Sequence, residues 1–145
     1  MLKKLIVLIN EKKYSWSQTT SSIYKLANKL KNYVQEGDRV LLVSENRPEW
    51  LITDMAIMLS NAITVPAYTT YTENDYKYLI EDCEATVVIV SNNEMHKKLE
   101  KTINQKDFIK CVISFNNLAK GDGKKKYLDF ETITTLGSQS SIKYL

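Results

Sequence analysis

Two rhythms of apolar residues alternate along this chain: continuous apolar runs, and spacings of three and four. The first run, residues 5–9, is followed by the polar turn Asn10-Glu11-Lys12-Lys13 and then by Tyr14-Ser15-Trp16, a pattern that predicts an N-terminal hairpin. Ser15 and Gln18 have the spacing of a capping box, in which each side chain satisfies an unpaired backbone N–H. Ile23, Leu26, Ala27, Leu30 and Val34 continue as one apolar helical face, and Gly37 is the expected left-handed stop. The run Val40-Leu41-Leu42-Val43 predicts a strand covered on both faces.

Beyond it, Asn46 is the expected cap of a helix with Pro48 in its first turn and Glu49 three residues past the cap. That helix is apolar on several sides as far as Leu59, which predicts deep burial. Asn61 is expected to take a left-handed turn, residues 62–65 a short strand stopped by Pro66, and Thr72-Glu73-Asn74-Asp75 the start of a helix. A strand over residues 86–90, a helix opened by a Ser91–Glu94 capping box, and a strand over residues 110–114 follow. Tyr127-Leu128 predicts a short strand, and residues 129–136 a short helix ended by Gly137. Strands and helices in alternation predict an α/β class: βαβ units building a mainly parallel sheet flanked by helices, in one domain.

Composition narrows the function classes. The 20 basic and 17 acidic residues leave a net charge of +3 and are interleaved, which argues against nucleic acid as a partner. The basic run Lys124-Lys125-Lys126 reads as a solvated loop. No apolar run approaches the roughly 20 residues of a transmembrane helix. The N-terminal run lacks the small-residue cleavage site of a signal peptide. Cys83 and Cys111 stand far apart and read as reduced thiols, so a cytoplasmic protein is expected, with peripheral association at a membrane left open.

Candidate chemistry is sparse. His96 is the only histidine, on a Lys-rich helix, and is expected at the surface; no zinc or other metal site is expected. Gly121-Asp122-Gly123-Lys124 lacks the glycine spacing and the Ser/Thr of a phosphate loop. Neither a dinucleotide-binding glycine motif nor a nucleophile elbow is present. Glu45, Glu49 and Asp54 surround a helix start, where Glu49 suits the helix dipole. Glu81, Asp82 and Glu84 read as a solvated turn. The segment Tyr68-Thr69-Thr70-Tyr71-Thr72 follows a strand at its carboxyl end, where parallel sheets bind ligands, so its hydroxyls either line a polar pocket or cap the next helix.

The stretch from Gly37-Asp38-Arg39-Val40 through Ser44-Glu45-Asn46-Arg47-Pro48-Glu49-Trp50 resembles the "GDRV…S.NRPEW" segment of AMP-forming acyl-CoA synthetases, above all the long-chain fatty acid-CoA ligases. Around it, in matching order, Tyr14-Ser15-Trp16-Ser17-Gln18 resembles the family's "TW.E" entry to its first helix, Ile63-Thr64-Val65-Pro66-Ala67-Tyr68-Thr69-Thr70 its "A(V/I)TVPIYPT" strand and loop, and residues 78–90 its "YILNDSEAKVVFV". Residues 127–137 resemble the linker helix before its catalytic core, so the similarity spans about residues 14–137. Asn61 stands where the family usually has glycine, and Thr70 follows Thr69 where Pro-Thr is common.

The resemblance implies carboxylate adenylation by ATP, then thioester formation with CoA, in fatty acid and lipid metabolism. ATP, magnesium and CoA are implied as cofactors of the full-length family, none of them held by this chain. The family's Ser/Thr/Gly-rich phosphate loop does not occur in residues 1–145, which are expected to be an incomplete N-terminal domain, inactive alone. No catalytic residue is carried over. Tyr68 and Thr69 match positions near the substrate, while Asn46, Arg47, Glu49, Trp50 and Pro66 match the family's structural motif, with Trp50 expected in the core. The expected partners are the rest of a synthetase or a second copy. The competing expectation is a non-catalytic truncated module that binds a partner chain or an acyl ligand.

Overall fold

The computed structural model describes residues 13–116, 121 and 123–137. The elements run α1 (Trp16–Leu30), β1 (Arg39–Val43), α2 (Pro48–Leu59), β2 (Ile63–Ala67), α3 (Glu73–Cys83), β3 (Val87–Val90), α4 (Asn93–Gln105), β4 (Cys111–Ser114), β5 (Lys126–Asp129) and α5 (Phe130–Leu136). All five strands join one sheet in the order β2-β1-β3-β4-β5, and every pairing is parallel. The α/β class with helices flanking a parallel sheet is therefore what the sequence rhythms predicted.

The strand periodicity of two divides the core. Val40, Leu42, Val87, Ile89, Cys111 and Ile113 face one layer, where Leu26, Leu30, Ile52, Ala56, Ile57 and Phe130 of α1, α2 and α5 close over them. Leu41, Val43, Val88, Val90 and Val112 face the other, covered by Tyr76, Ile80, Leu99 and Ile103 of α3 and α4. The crossover through α2 moves outward to β2; the crossover through α3 moves back past β1 on the opposite face. A constant handedness of crossover requires this change of face.

Several local expectations are corrected. The first arm of the predicted hairpin lies outside the described residues, and of its second arm Trp16 opens α1, because the Ser15–Gln18 capping box fixes the helix start there. α1 stops at Leu30 instead of running to Gly37. Gly37 is left-handed at φ 81°, but in the turn that leads into β1, where Asp38 N–H donates to the Gln35 carbonyl at 3.0 Å. Asn46 does not cap α2; Arg47 does, without a side-chain bond, since Pro48 is the first helical residue and holds the residue before it extended. Asn92, not Ser91, caps α4, accepting from Met95 N–H at 3.0 Å. The Ser91 hydroxyl is buried and unpartnered.

Pro66 falls inside β2, tolerated because β2 is an edge strand. The expected deep burial of α2 holds for one side only: Leu51, Met55 and Met58 share an exposed face. No described helix is long and apolar enough to cross a membrane.

Candidate functional site

β1 and β2 deliver their carboxyl ends to the same edge of the sheet, with Val43 opposite Ala67. The chain leaves each strand there in a short loop. Between the loops lies a cavity of about 490 Å³ lined by Ser44, Glu45 and Asn46 after β1, Trp50 in the first turn of α2, Pro66 and Ala67 ending β2, and Tyr68 and Thr69 beyond it. That volume falls within the ordinary range of small-molecule sites. Parallel sheets bind ligands outside this carboxyl edge. The strand order reverses between β1 and β3, and the cavity opens one strand outward from that point.

The residues singled out in the sequence divide into two groups. Tyr68, Thr69, Asn46, Trp50 and Pro66 all line the cavity. Trp50, expected in the core, is half-buried: it packs against the α1/α2 core layer and also lines the cavity. Arg47 and Glu49 stand behind this wall. Arg47 Nε donates to Glu49 Oε2 at 3.0 Å and its Nη1 lies 3.3 Å from Glu45 Oε1. The Tyr14 hydroxyl donates to Glu49 Oε1 at 3.1 Å. The guanidinium also lies 5.3 Å from the centre of the Phe115 ring. Burial works to lower the Arg47 pKa, but Glu49 and Glu45 outweigh it and raise the value above its ordinary level. The pair pins the start of α2, and with it the angle at which Trp50 meets the cavity.

The opposite wall is a turn closed by Tyr71 N–H donating to the Tyr68 carbonyl at 3.3 Å. Three of its hydroxyl residues divide between two employments. Thr72 caps α3, accepting from Asp75 N–H, while the Asp75 carboxylate accepts from both Thr72 N–H and its hydroxyl at 2.8 Å. These bonds hold the Asp75 carboxyl below the usual carboxylate range. Tyr68 and Thr69 remain for the cavity, so the pocket and cap readings both describe parts of one segment. The buried Tyr76 hydroxyl donates to the Tyr68 carbonyl at 2.6 Å. Burial first, then Asp75 and Tyr71, push its pKa up to about 12.

Ser44, Glu45 and Ala67 were not singled out as site residues. Their signal was available: each ends a strand that feeds the carboxyl edge or follows it within two residues. His96 is corrected from the surface to the interior. It falls on the same face of α4 as Leu99 and Ile103, is 3% exposed, and its Nε2 lies 3.1 Å from the Tyr127 hydroxyl.

The donors of the cavity do not suit the ionic cofactors of an adenylating enzyme. Its lining holds no cationic side chain for phosphates, and its one carboxylate, Glu45, is engaged by Arg47. Among the described residues no three His, Cys, Asp or Glu side chains converge as metal ligands. The lining combines the apolar surfaces of Trp50, Pro66 and Ala67 with the polar side chains of Ser44, Asn46, Tyr68 and Thr69.

The sequence profile of the family described as AMP-binding enzyme matches residues 3–136, which includes every residue lining the cavity. The chain belongs to the AMP-binding enzyme family. Long-chain-fatty-acid–CoA ligase FadD15 of Mycobacterium tuberculosis is 41% identical over 63 residues, covering 43% of this chain and 10% of that protein. Fatty acyl-CoA synthetase A of Dictyostelium discoideum is 29% identical over 100 residues, covering 69% of this chain and 14% of that protein. The chain thus spans a small fraction of the AMP-binding enzymes it matches. The crystal structure of the anthranilate CoA ligase AuaEII in complex with anthranoyl-AMP superposes with a TM-score of 0.85 at 21% identity, covering 99% of this chain and 27% of that one. The α/β fold described above is the fold of the matching part of that ligase.

Proposed function

We propose that these 145 residues form part of the acyl-binding region of an AMP-forming acyl-CoA ligase, supplying one end of the acyl site but not the ATP chemistry. The observation that carries this reading is the cavity between Trp50 and Tyr68–Thr69, built by the segments that resemble the long-chain ligases. Adenylation requires the charge of the triphosphate to be met by a metal ion and by N–H donors. Residues outside these 145 supply them. Glu45 repels a carboxylate, so the acyl group enters with its uncharged part toward this wall and its carboxylate toward the missing phosphate site. On this reading the domain of residues 1–145 is incomplete, ATP, magnesium and CoA belong to the whole enzyme, and the setting is cytoplasmic.

The test is ATP–pyrophosphate exchange with a series of fatty acids. The 145-residue chain gives no exchange, whereas the same segment joined to residues carrying the family's phosphate loop gives exchange that depends on the fatty acid. Exchange by the chain alone, or none that depends on a carboxylic acid when joined, overturns the proposal.

A second reading, a non-catalytic module that pairs with a partner chain, is favoured by the exposed face of Leu51, Met55 and Met58 on α2. It predicts association in sedimentation runs at micromolar concentration; a monomer throughout that range rejects it.

A further inference from the structure

The Tyr68–Thr69 wall is fastened by α4, which covers the same face of the sheet as α3. Lys98, on α4, directs its Nζ to the carbonyl of Thr69 at 3.1 Å and to that of Tyr71 at 3.5 Å. It thereby joins two carbonyls of one turn to a helix that follows β3, two strands away from β2. The turn is otherwise fixed by the Tyr76 bond to the Tyr68 carbonyl and by the edge-to-face contact of Tyr68 with Tyr71, ring centres 5.5 Å apart. Tyr68 itself is 73% exposed, so packing does little to hold it. β2 has a single neighbouring strand and Pro66 contributes no N–H. Lys98 has no carboxylate within ion-pairing distance among the described residues. Its charge is therefore committed to the turn carbonyls and to solvent, and a hydrogen bond from a charged donor is stronger than a neutral one.

We propose that Lys98 is a positioning residue that sets the place of the Tyr68–Thr69 turn, and with it the width of the acyl cavity. The part concerning the turn stands on geometry alone; the part concerning the acyl group rests on the function proposed above. Lys98 does not itself line the cavity. It acts through the backbone: drawing the Thr69 and Tyr71 carbonyls toward α4 fixes where the side chains of Tyr68 and Thr69 stand relative to Trp50.

The test has two arms. Amide hydrogen exchange in the full chain compares wild type with Lys98→Met, Lys98→Arg and Lys101→Met, the last removing a neighbouring α4 lysine that makes no bond to the turn. Loss of a charged hydrogen bond predicts exchange about tenfold faster at the hydrogen-bonded amides of Tyr71 and Thr72 in Lys98→Met, an intermediate rate in Lys98→Arg and no change in Lys101→Met. Unchanged amides in β3 and β4 show that the variant is folded. Exchange in the turn equal to wild type in Lys98→Met overturns the proposal, as does an equal effect of Lys101→Met.

The second arm places Lys98→Met in an active acyl-CoA ligase that carries this segment. It predicts a raised KM for the fatty acid, an unchanged KM for ATP, and partial rescue by Lys98→Arg. An unchanged KM for the acid overturns the link to the acyl group. A ligase with no dependence on any carboxylic acid refutes the proposed function instead, while the exchange arm still decides the role of Lys98 in the turn.

Discussion

Arg47 and Glu49, two residues apart in sequence, form an ion pair at 3.0 Å in which the Glu49 side chain is only 2% exposed and that of Arg47 15%. A carboxylate so enclosed depends on its partners, Arg47 as well as the Tyr14 hydroxyl, and losing the only opposite charge in this pair leaves its own charge poorly compensated. Arg47→Met therefore lowers stability by about 3 kcal/mol in urea unfolding. Adding Glu49→Gln to that variant removes the buried negative charge and recovers part of the loss. A double variant no more stable than the single one would show that the pair is not what holds the start of α2.

His96 makes stability depend on pH. Burial depresses its pKa below the ordinary value, against a smaller opposing pull from Glu100. The unfolded chain then binds the proton more readily than the folded one, so this contribution is complete above the unfolded value of about 6.5 and is lost as the pH falls toward the folded pKa. Thermal unfolding of wild type and His96→Gln at pH 7.5 and pH 5.5 checks this. The advantage of wild type shrinks at the lower pH; a constant difference between the two refutes it.

The two thiols separate by burial. Cys111 lies within the sheet and is pushed up to about 12 by desolvation, while the half-buried Cys83 is raised less far for the same reason. Thiolate, not thiol, reacts with alkylating reagents. At pH 7.5 iodoacetamide labels Cys83 slowly and Cys111 only once the chain is unfolded. Peptide mass analysis reads the order, and equal labelling of both in the folded chain contradicts it.

Asn61 sits at φ 63°, a left-handed conformation that suits glycine and is tolerated by asparagine. Its carbonyl also accepts from Gly37 N–H at 2.9 Å, tying the turn after α2 to the turn before β1. Asn61→Gly keeps or slightly raises the melting temperature. Asn61→Val, whose branched side chain opposes positive φ, costs about 1–2 kcal/mol.

The sheet and its flanking helices were legible in the sequence because the strands are covered on both faces: continuous runs such as Val40-Leu41-Leu42-Val43 have no other economical use. Caps were legible at Ser15 and Thr72, whose side chains close capping boxes, but not at Asn92, where the neighbouring Ser91 offered a competing spacing. At Arg47 the sequence misled, since Asn46 is the better capping residue by type and only the restriction before proline moves the boundary by one. His96 was misplaced by the lysines around it, although its spacing from Leu99 and Ile103 marks the buried face. Glu84, left-handed at φ 48° and 3.7 Å from Arg39, gave no sign by residue type. Five of the motif residues meet at the cavity, but that Lys98 reaches the same turn from another helix is a property of the folded chain, since no sequence spacing relates it to Thr69.

The cavity has one stiff side and one adjustable side. Ser44, Glu45, Asn46 and Trp50 hang from β1, which is paired on both flanks, and from a helix start anchored by a buried charge pair. Tyr68 and Thr69 hang from the outermost strand and project from an exposed turn. A change of residue size on the first side disturbs the centre of the fold, whereas the same change on the second disturbs little beyond the turn. Divergence in the molecules such a scaffold accepts should accordingly accumulate at positions 68–70, and an engineer seeking a different fit would begin there.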